Sequence, residues 1–120
     1  MKRILVVDDN SAILDVLEIL LSEEGYKVKC VDDASDFLPV VIDFEPQLII
    51  LDIQLGRYDG RALCDNLKGL GNTKDIPVLL MSAKVNIRDM GVYTCTAQEF
   101  ITKPFDIDDV VRRVSSHINR

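Results

Sequence analysis

The stretch Gln47-Leu48-Ile49-Ile50-Leu51-Asp52 limits what this chain can fold into more than any other. Four consecutive large apolar residues, Leu48 to Leu51, follow Pro46 and stop abruptly at a carboxylate. The run is too short for a helix and lacks the alternation of a half-buried strand. It reads as a strand covered on both faces, the kind found in parallel sheets. Near the N-terminus the pattern repeats, with Ile4-Leu5-Val6-Val7 running into Asp8-Asp9. Open parallel sheets bind their ligands in the crevice outside the carboxyl ends of the strands. Two buried strands that each end in acid would set three carboxylates side by side in that crevice.

The remaining segments fit the same architecture. After a first strand over residues 3–7, Asn10 or Ser11 can cap a helix. Its apolar positions Ile13, Leu14, Val16, Leu17, Leu20 and Leu21 fall at helical spacing, and Gly25 suits its end. Residues 26–31 alternate Tyr26, Val28 and Cys30 against Lys27 and Lys29, as a strand near an edge does. A short helix follows over about 36–44, starting no earlier than Ser35 so that Pro39 lies in its first turn. Asp59 or Gly60 opens a third helix with Ala62, Leu63, Leu67 and Leu70 on one face, and Gly69 and Gly71 end it. Residues 76–81 form another buried strand with Pro77 at its start. A last short strand over 98–102 precedes a helix capped by Asp106, with Ile107, Val110, Val111, Val114 and Ile118 inward. Residues 84–96 are the weak segment, poor in helix formers and interrupted by Gly91, and a short or frayed fourth helix is expected there. The expected fold is α/β: a doubly wound five-stranded parallel sheet with helices on both faces.

Composition narrows the function classes. A chain of 120 residues that is 48% hydrophobic is expected to be one domain, residues 1–120, with a core of its own. Fourteen basic against 20 acidic residues leave a net charge of −6, which disfavours non-specific binding to nucleic acid or anionic membranes. No stretch approaches the roughly 20 apolar residues of a membrane span, and the first apolar run meets Asp8 too early for a signal peptide. Cys30, Cys64 and Cys95 are odd in number and widely spaced, so reduced thiols in a cytoplasmic protein are expected.

Asp8, Asp9 and Asp52 carry the chemistry. At about 4 Å and an effective dielectric near 20, each like-charge pair costs about 4 kcal/mol, so such a cluster wants a cation. Hard carboxylate and carbonyl oxygens suit Mg²⁺, which keeps several waters and accepts one or two protein carboxylates. Any one of these acids alone is most simply a helix cap or turn residue; acid at both strand ends favours the metal reading. Lys103 follows the last strand and therefore reaches the same crevice, where a compact ammonium would neutralise a phosphoryl oxygen. Ser82 ends the preceding strand with a hydroxyl able to donate to the same anion.

Asp8-Asp9, Asp52, Ser82-Ala83 and Lys103-Pro104, in this order and at these spacings, resemble the receiver domain of two-component response regulators. The likeness covers essentially the whole chain, including Asp59-Gly60 and Pro77, and in size it is nearest to single-domain chemotaxis-type regulators. It implies the flavodoxin-like strand order 2-1-3-4-5. It also implies that Asp52 is the phosphoacceptor, taking its phosphoryl group from a histidine kinase or a histidine phosphotransfer protein. Asp9, Asp52 and the backbone carbonyl of Gln54 would bind Mg²⁺ (or Mn²⁺), with Asp8 acting through water. Lys103 and Ser82 would contact the phosphoryl oxygens, and Phe100 would be the aromatic whose rotamer reports phosphorylation. The readout surface would be the fourth helix, last strand and last helix, meeting a downstream output protein or domain or a second copy in a phosphorylation-dependent dimer. On this reading the chain catalyses its own phosphorylation and dephosphorylation but turns over no independent substrate.

Two positions depart from the family pattern. Gly56 stands where Pro is usual, so the loop over 54–58 is expected to be more mobile. Thr96-Ala97 replaces the common Gly-Ala before the last strand. The Lys103–Pro104 bond should be cis by the same resemblance. Rival readings are a Mg²⁺-dependent phosphatase with an aspartyl nucleophile, a flavin-binding electron carrier, and a receiver-like module that acts only by protein binding. The phosphatases typically carry Asp-x-Asp after the first strand and a cap insertion, which Asp8-Asp9 and 120 residues do not provide. The electron carrier would need a phosphate-cradling loop where Asp8-Asp9 stand.

Overall fold

The structure, a computed structural model, describes residues 1–82 and 97–118. The fourth helix expected over 84–96 lies outside the described residues. Five parallel strands form the sheet: β1 (Arg3–Val7), β2 (Lys27–Val31), β3 (Leu48–Asp52), β6 (Val78–Ser82) and β7 (Glu99–Thr102). Their spatial order is β2-β1-β3-β6-β7, the flavodoxin-like 2-1-3-4-5 when these strands alone are counted. The central position of β3 explains its unbroken apolar run: all five of its residues are buried.

Strand alternation divides the core into two layers. Ile4, Val6, Leu48, Ile50, Leu79, Met81 and Ile101 meet α1 (Ser11–Glu23) and α4 (Ile107–Ile118) on one face. Leu5, Val7, Ile49, Leu51, Val78 and Leu80 meet α2 (Phe37–Phe44) and α3 (Gly60–Lys68) on the other. Asn10 caps α1 through its side-chain oxygen, Asp59 caps α3, and Asp106 accepts from the amides of Asp108 and Asp109 at the start of α4. Each cap satisfies amides that a helix start leaves without an intrahelical partner. Gly25, at φ +92°, makes the turn out of α1. Pro39 sits in the first turn of α2, where its missing N–H breaks no helical bond.

Three local expectations change. Val16 is 43% exposed and Ile107 48% exposed, so the apolar stripes of α1 and α4 are narrower than their composition suggested. Leu70 lies beyond the end of α3 and is exposed, whereas Cys64 is fully buried and takes part in the core under β3 and β6. Cys64 is also disulfide-bonded, against the expectation of three reduced thiols. Cys30 is free, and Cys95 lies outside the described residues. Separation along the chain is a poor guide to a disulfide because the bond depends on distance between Cα atoms in the fold.

The region after β3 is the other departure. The polar stretch expected to be a mobile loop is a two-stranded antiparallel hairpin, β4 (Gln54–Leu55) and β5 (Tyr58–Asp59). Gly56, at φ +61°, supplies the left-handed residue that its two-residue turn requires. Leu55 is buried and Tyr58 packs partly into the layer beneath α3, which anchors the hairpin.

Candidate functional site

The register that aligns the sheet also assembles the site. Val7 pairs with Leu51 and Asp52 with Met81, so Asp8 emerges beside Asp52 one step beyond the β1–β3 ladder. Ser82, the last residue of β6, pairs with Thr102, and Lys103 follows directly. Asp8, Asp9, Asp52, Ser82 and Lys103 therefore converge on the carboxyl end of the sheet, where parallel folds place ligands.

Oxygen atoms of Asp8, Asp9 and Asp52 all lie within 4.8 Å of one another. Asp8 and Asp52 are buried, whereas Asp9 is exposed and faces solvent. The Lys103 ammonium donates to Asp8 Oδ2 at 2.8 Å and to Asp52 Oδ2 at 3.3 Å. The cis Lys103–Pro104 bond lies immediately after β7, as the resemblance implied. Asp8 Oδ1 accepts from the Asn10 amide at 2.9 Å, and Asp52 Oδ1 accepts from the Gln54 amide at 3.3 Å.

Among the described residues, one ammonium stands between two buried carboxylates and does not balance them. Burial pushes the Asp52 carboxyl above its ordinary range and the nearby Asp8 charge adds to this, outweighing Lys103 and the Gln54 amide. Burial alone would depress the Lys103 ammonium, but its hydrogen bond to Asp8 and the charges of Asp8 and Asp52 hold it above its usual value. The donor set fits a small hard cation: three carboxylates converge, one of them open to solvent for the waters such an ion keeps.

Gly60 has a role here that the sequence did not reveal. A Cβ built on it would lie 2.1 Å from the Asp52 carbonyl oxygen and 2.9 Å from its carbonyl carbon. Its amide donates to the Ile53 carbonyl at 2.8 Å. The start of α3 thus presses directly on the backbone that carries Asp52. Gln54 is exposed in β4, Ser82 is buried, and Phe100 is 37% exposed on β7, at the edge of the sheet. The structure places Phe100 away from the cluster of acids on its own strand, three residues before Lys103.

The response regulator receiver domain family matches residues 4–115. A DNA-binding dual master transcriptional regulator, RpaA of Synechocystis, is 36% identical over 121 residues; the match covers all of this chain and half of that protein. The chain thus spans about half the length of this curated relative. The receiver domain of a signal transduction histidine kinase from Syntrophus aciditrophicus is 30% identical with a TM-score of 0.89, covering 99% of this chain and 91% of that one. The receiver domain of sensor histidine kinase PA1611 from Pseudomonas aeruginosa, solved with magnesium in its active-site cleft, shares the fold at 22% identity, a TM-score of 0.87 and coverage of 99% and 98%. No helix among the described residues is long and apolar enough to cross a membrane. With the acids, the lysine and the strand order all in place, the chain belongs to the response regulator receiver domain family of two-component systems.

Proposed function

We propose that this chain is a phosphoacceptor: Asp52 takes a phosphoryl group from a histidine kinase or histidine phosphotransfer protein in a Mg²⁺-dependent reaction. The observation that carries the proposal is the buried Asp8–Asp52 pair sharing one ammonium, with Asp9 at the solvent edge. Phosphoryl transfer asks a protein mainly for alignment and for neutralising charge. Asp9, Asp52 and the Gln54 carbonyl would hold the ion, with Asp8 acting through water; when bound, it would neutralise the phosphoryl oxygens. The magnesium in the Pseudomonas receiver domain supports this assignment. Lys103 donates to Asp52 Oδ2 at 3.3 Å and would neutralise a phosphoryl oxygen on it. Ser82 would donate to another, and Phe100 would respond by changing rotamer as the surface near β7 and α4 passes the signal on.

In this reading the domain acts on itself rather than turning over a substrate. It works in the cytoplasm, binds neither nucleic acid nor membrane directly, and signals through an output partner or a phosphorylation-dependent dimer. Incubation with phosphoramidate and Mg²⁺ should add one phosphoryl group, visible by intact mass and mapped to Asp52. Asp52→Asn should abolish the adduct. Labelling that persists in that variant, or steady release of phosphate from monoesters by the native protein, would favour a different chemistry.

A further inference from the structure

A groove of about 280 Å³ opens beside the acids, and Asp9 forms part of its wall. Its other walls come from the turn after β2, which contributes Asp32, Asp33 and Ser35, and from the β4–β5 hairpin, which contributes Arg57 and Tyr58. Among the described residues Arg57 is the only basic side chain on these walls. It stands at the hairpin tip next to Gly56, with its guanidinium carbon 5.9 Å from the Tyr58 ring centroid. A cation over an aromatic face is held in place by the ring quadrupole. Asp33 is engaged elsewhere, accepting from the Ser35 amide at 2.9 Å. That hydrogen bond keeps its carboxyl below the usual range, and the Arg57 charge adds to the effect. The guanidinium therefore faces the groove with donors to spare and a fork shape suited to a carboxylate.

We propose that this groove is a leaving-group subsite for small acyl phosphates, with Arg57 as the residue that selects them. The inference rests on Asp52 being the phosphoacceptor. An Asp52 oxygen attacks phosphorus, the bond from phosphorus to the acyl oxygen breaks, and the electron pair departs on a carboxylate. At neutral pH that carboxylate leaves without a proton, so negative charge develops on it during the transfer. Arg57 would receive that charge where the groove adjoins Asp9. A donor with a nitrogen leaving group offers no such handle. Phosphoramidate reacts with its nitrogen already protonated and releases neutral ammonia, so Arg57 has no developing anion to stabilise. Asp32 faces the same groove with the opposite sign, and its charge opposes an anionic leaving group.

The test compares two donors on one folded protein. Phosphorylation rates are measured with acetyl phosphate and with phosphoramidate at fixed Mg²⁺, for native protein, Arg57→Gln, Arg57→Lys and Asp32→Asn. The ratio of the acetyl phosphate rate to the phosphoramidate rate should fall about fivefold or more in Arg57→Gln. It should recover in part in Arg57→Lys and rise in Asp32→Asn. A ratio unchanged in Arg57→Gln, or lowered in Asp32→Asn, overturns the subsite while leaving the phosphoacceptor assignment intact. Native protein that takes label from neither donor overturns both.

Discussion

At the carboxyl end of the sheet, Asp8 and Asp52 are buried side by side, Asp9 adds a third acid, and among the described residues Lys103 is the cation that answers them. The amino end treats its polar groups differently. There the Gln47 side-chain oxygen accepts from the Arg3 amide at 2.9 Å, and the Gln98 side-chain oxygen accepts from the Val78 amide at 2.7 Å. Neutral amides finish the strand ladders at that end. Its cations meet helix carbonyls: Arg3 donates to Phe44 and Glu45 at the end of α2, and Lys2 donates to Ile118 at the end of α4. Positive charge at a helix C-terminus is favoured by the helix dipole. One end of the sheet is thus electrostatically satisfied as it stands. The other keeps like charges together. A parallel sheet allows this division because all its strands end on one side, so acids can be concentrated there while capping residues hold the far side.

Four substitutions and one metal titration probe that contrast. The largest effect should come from Gly60→Ala, which drives a methyl into the Asp52 backbone. Overpacking against backbone is hard to relieve, and a loss of about 3 kcal/mol is expected in urea denaturation. A loss below about 1 kcal/mol would show that α3 can move off Asp52 freely. At the amino end, Gln98→Ala leaves the Val78 amide without its side-chain acceptor. It should cost about 2 kcal/mol while changing the phosphoramidate rate less than about twofold. A large change in that rate would mean that the two ends are coupled.

The sign reverses at the acidic end. A carboxyl whose folded pKa is raised ionises less readily folded than unfolded, so stability falls as pH rises through that folded pKa. In chelator at neutral pH, Asp52→Asn should therefore stabilise the protein by about 1 kcal/mol, or roughly 4 °C in melting temperature. Mg²⁺ at ten times its Kd should raise native stability by about 1.4 kcal/mol and that of the variant by less. A variant clearly less stable than native protein in chelator would remove the repulsion on which the comparison depends. The smallest effect should follow Lys2→Met, which takes a cation off the end of α4. A loss of about 0.5 kcal/mol by thermal melting is expected.

Much of this arrangement is legible in the sequence. The uninterrupted apolar runs of β1 and β3 announced strands buried on both faces, and the acids that stop them announced the site. The alternation of strand and helix signals gave a parallel sheet, with β2 at its edge as its alternating lysines suggested. Other features were hidden because they depend on residues distant in sequence. Arg57 read as an unremarked loop residue until the hairpin placed it on a groove shared with Asp9. Cys64 looked like one of three separate thiols, yet it faces inward from α3 and is disulfide-bonded. Cys30 kept the expected free state; burial first, then the nearby Glu18 and Asp15 charges, push its thiol up to about 11.

What the sequence determined by itself is the order of elements and the chemical kinds gathered at strand ends, because hydrophobic period and chain-end chemistry are local properties. What only the tertiary structure decided is which groups share space. These include one lysine bridging two acids that lie 44 residues apart in the chain, and a glycine pressed against the backbone of Asp52. Such contacts arise from strand register and helix docking, where energies are set by distances that no local pattern encodes.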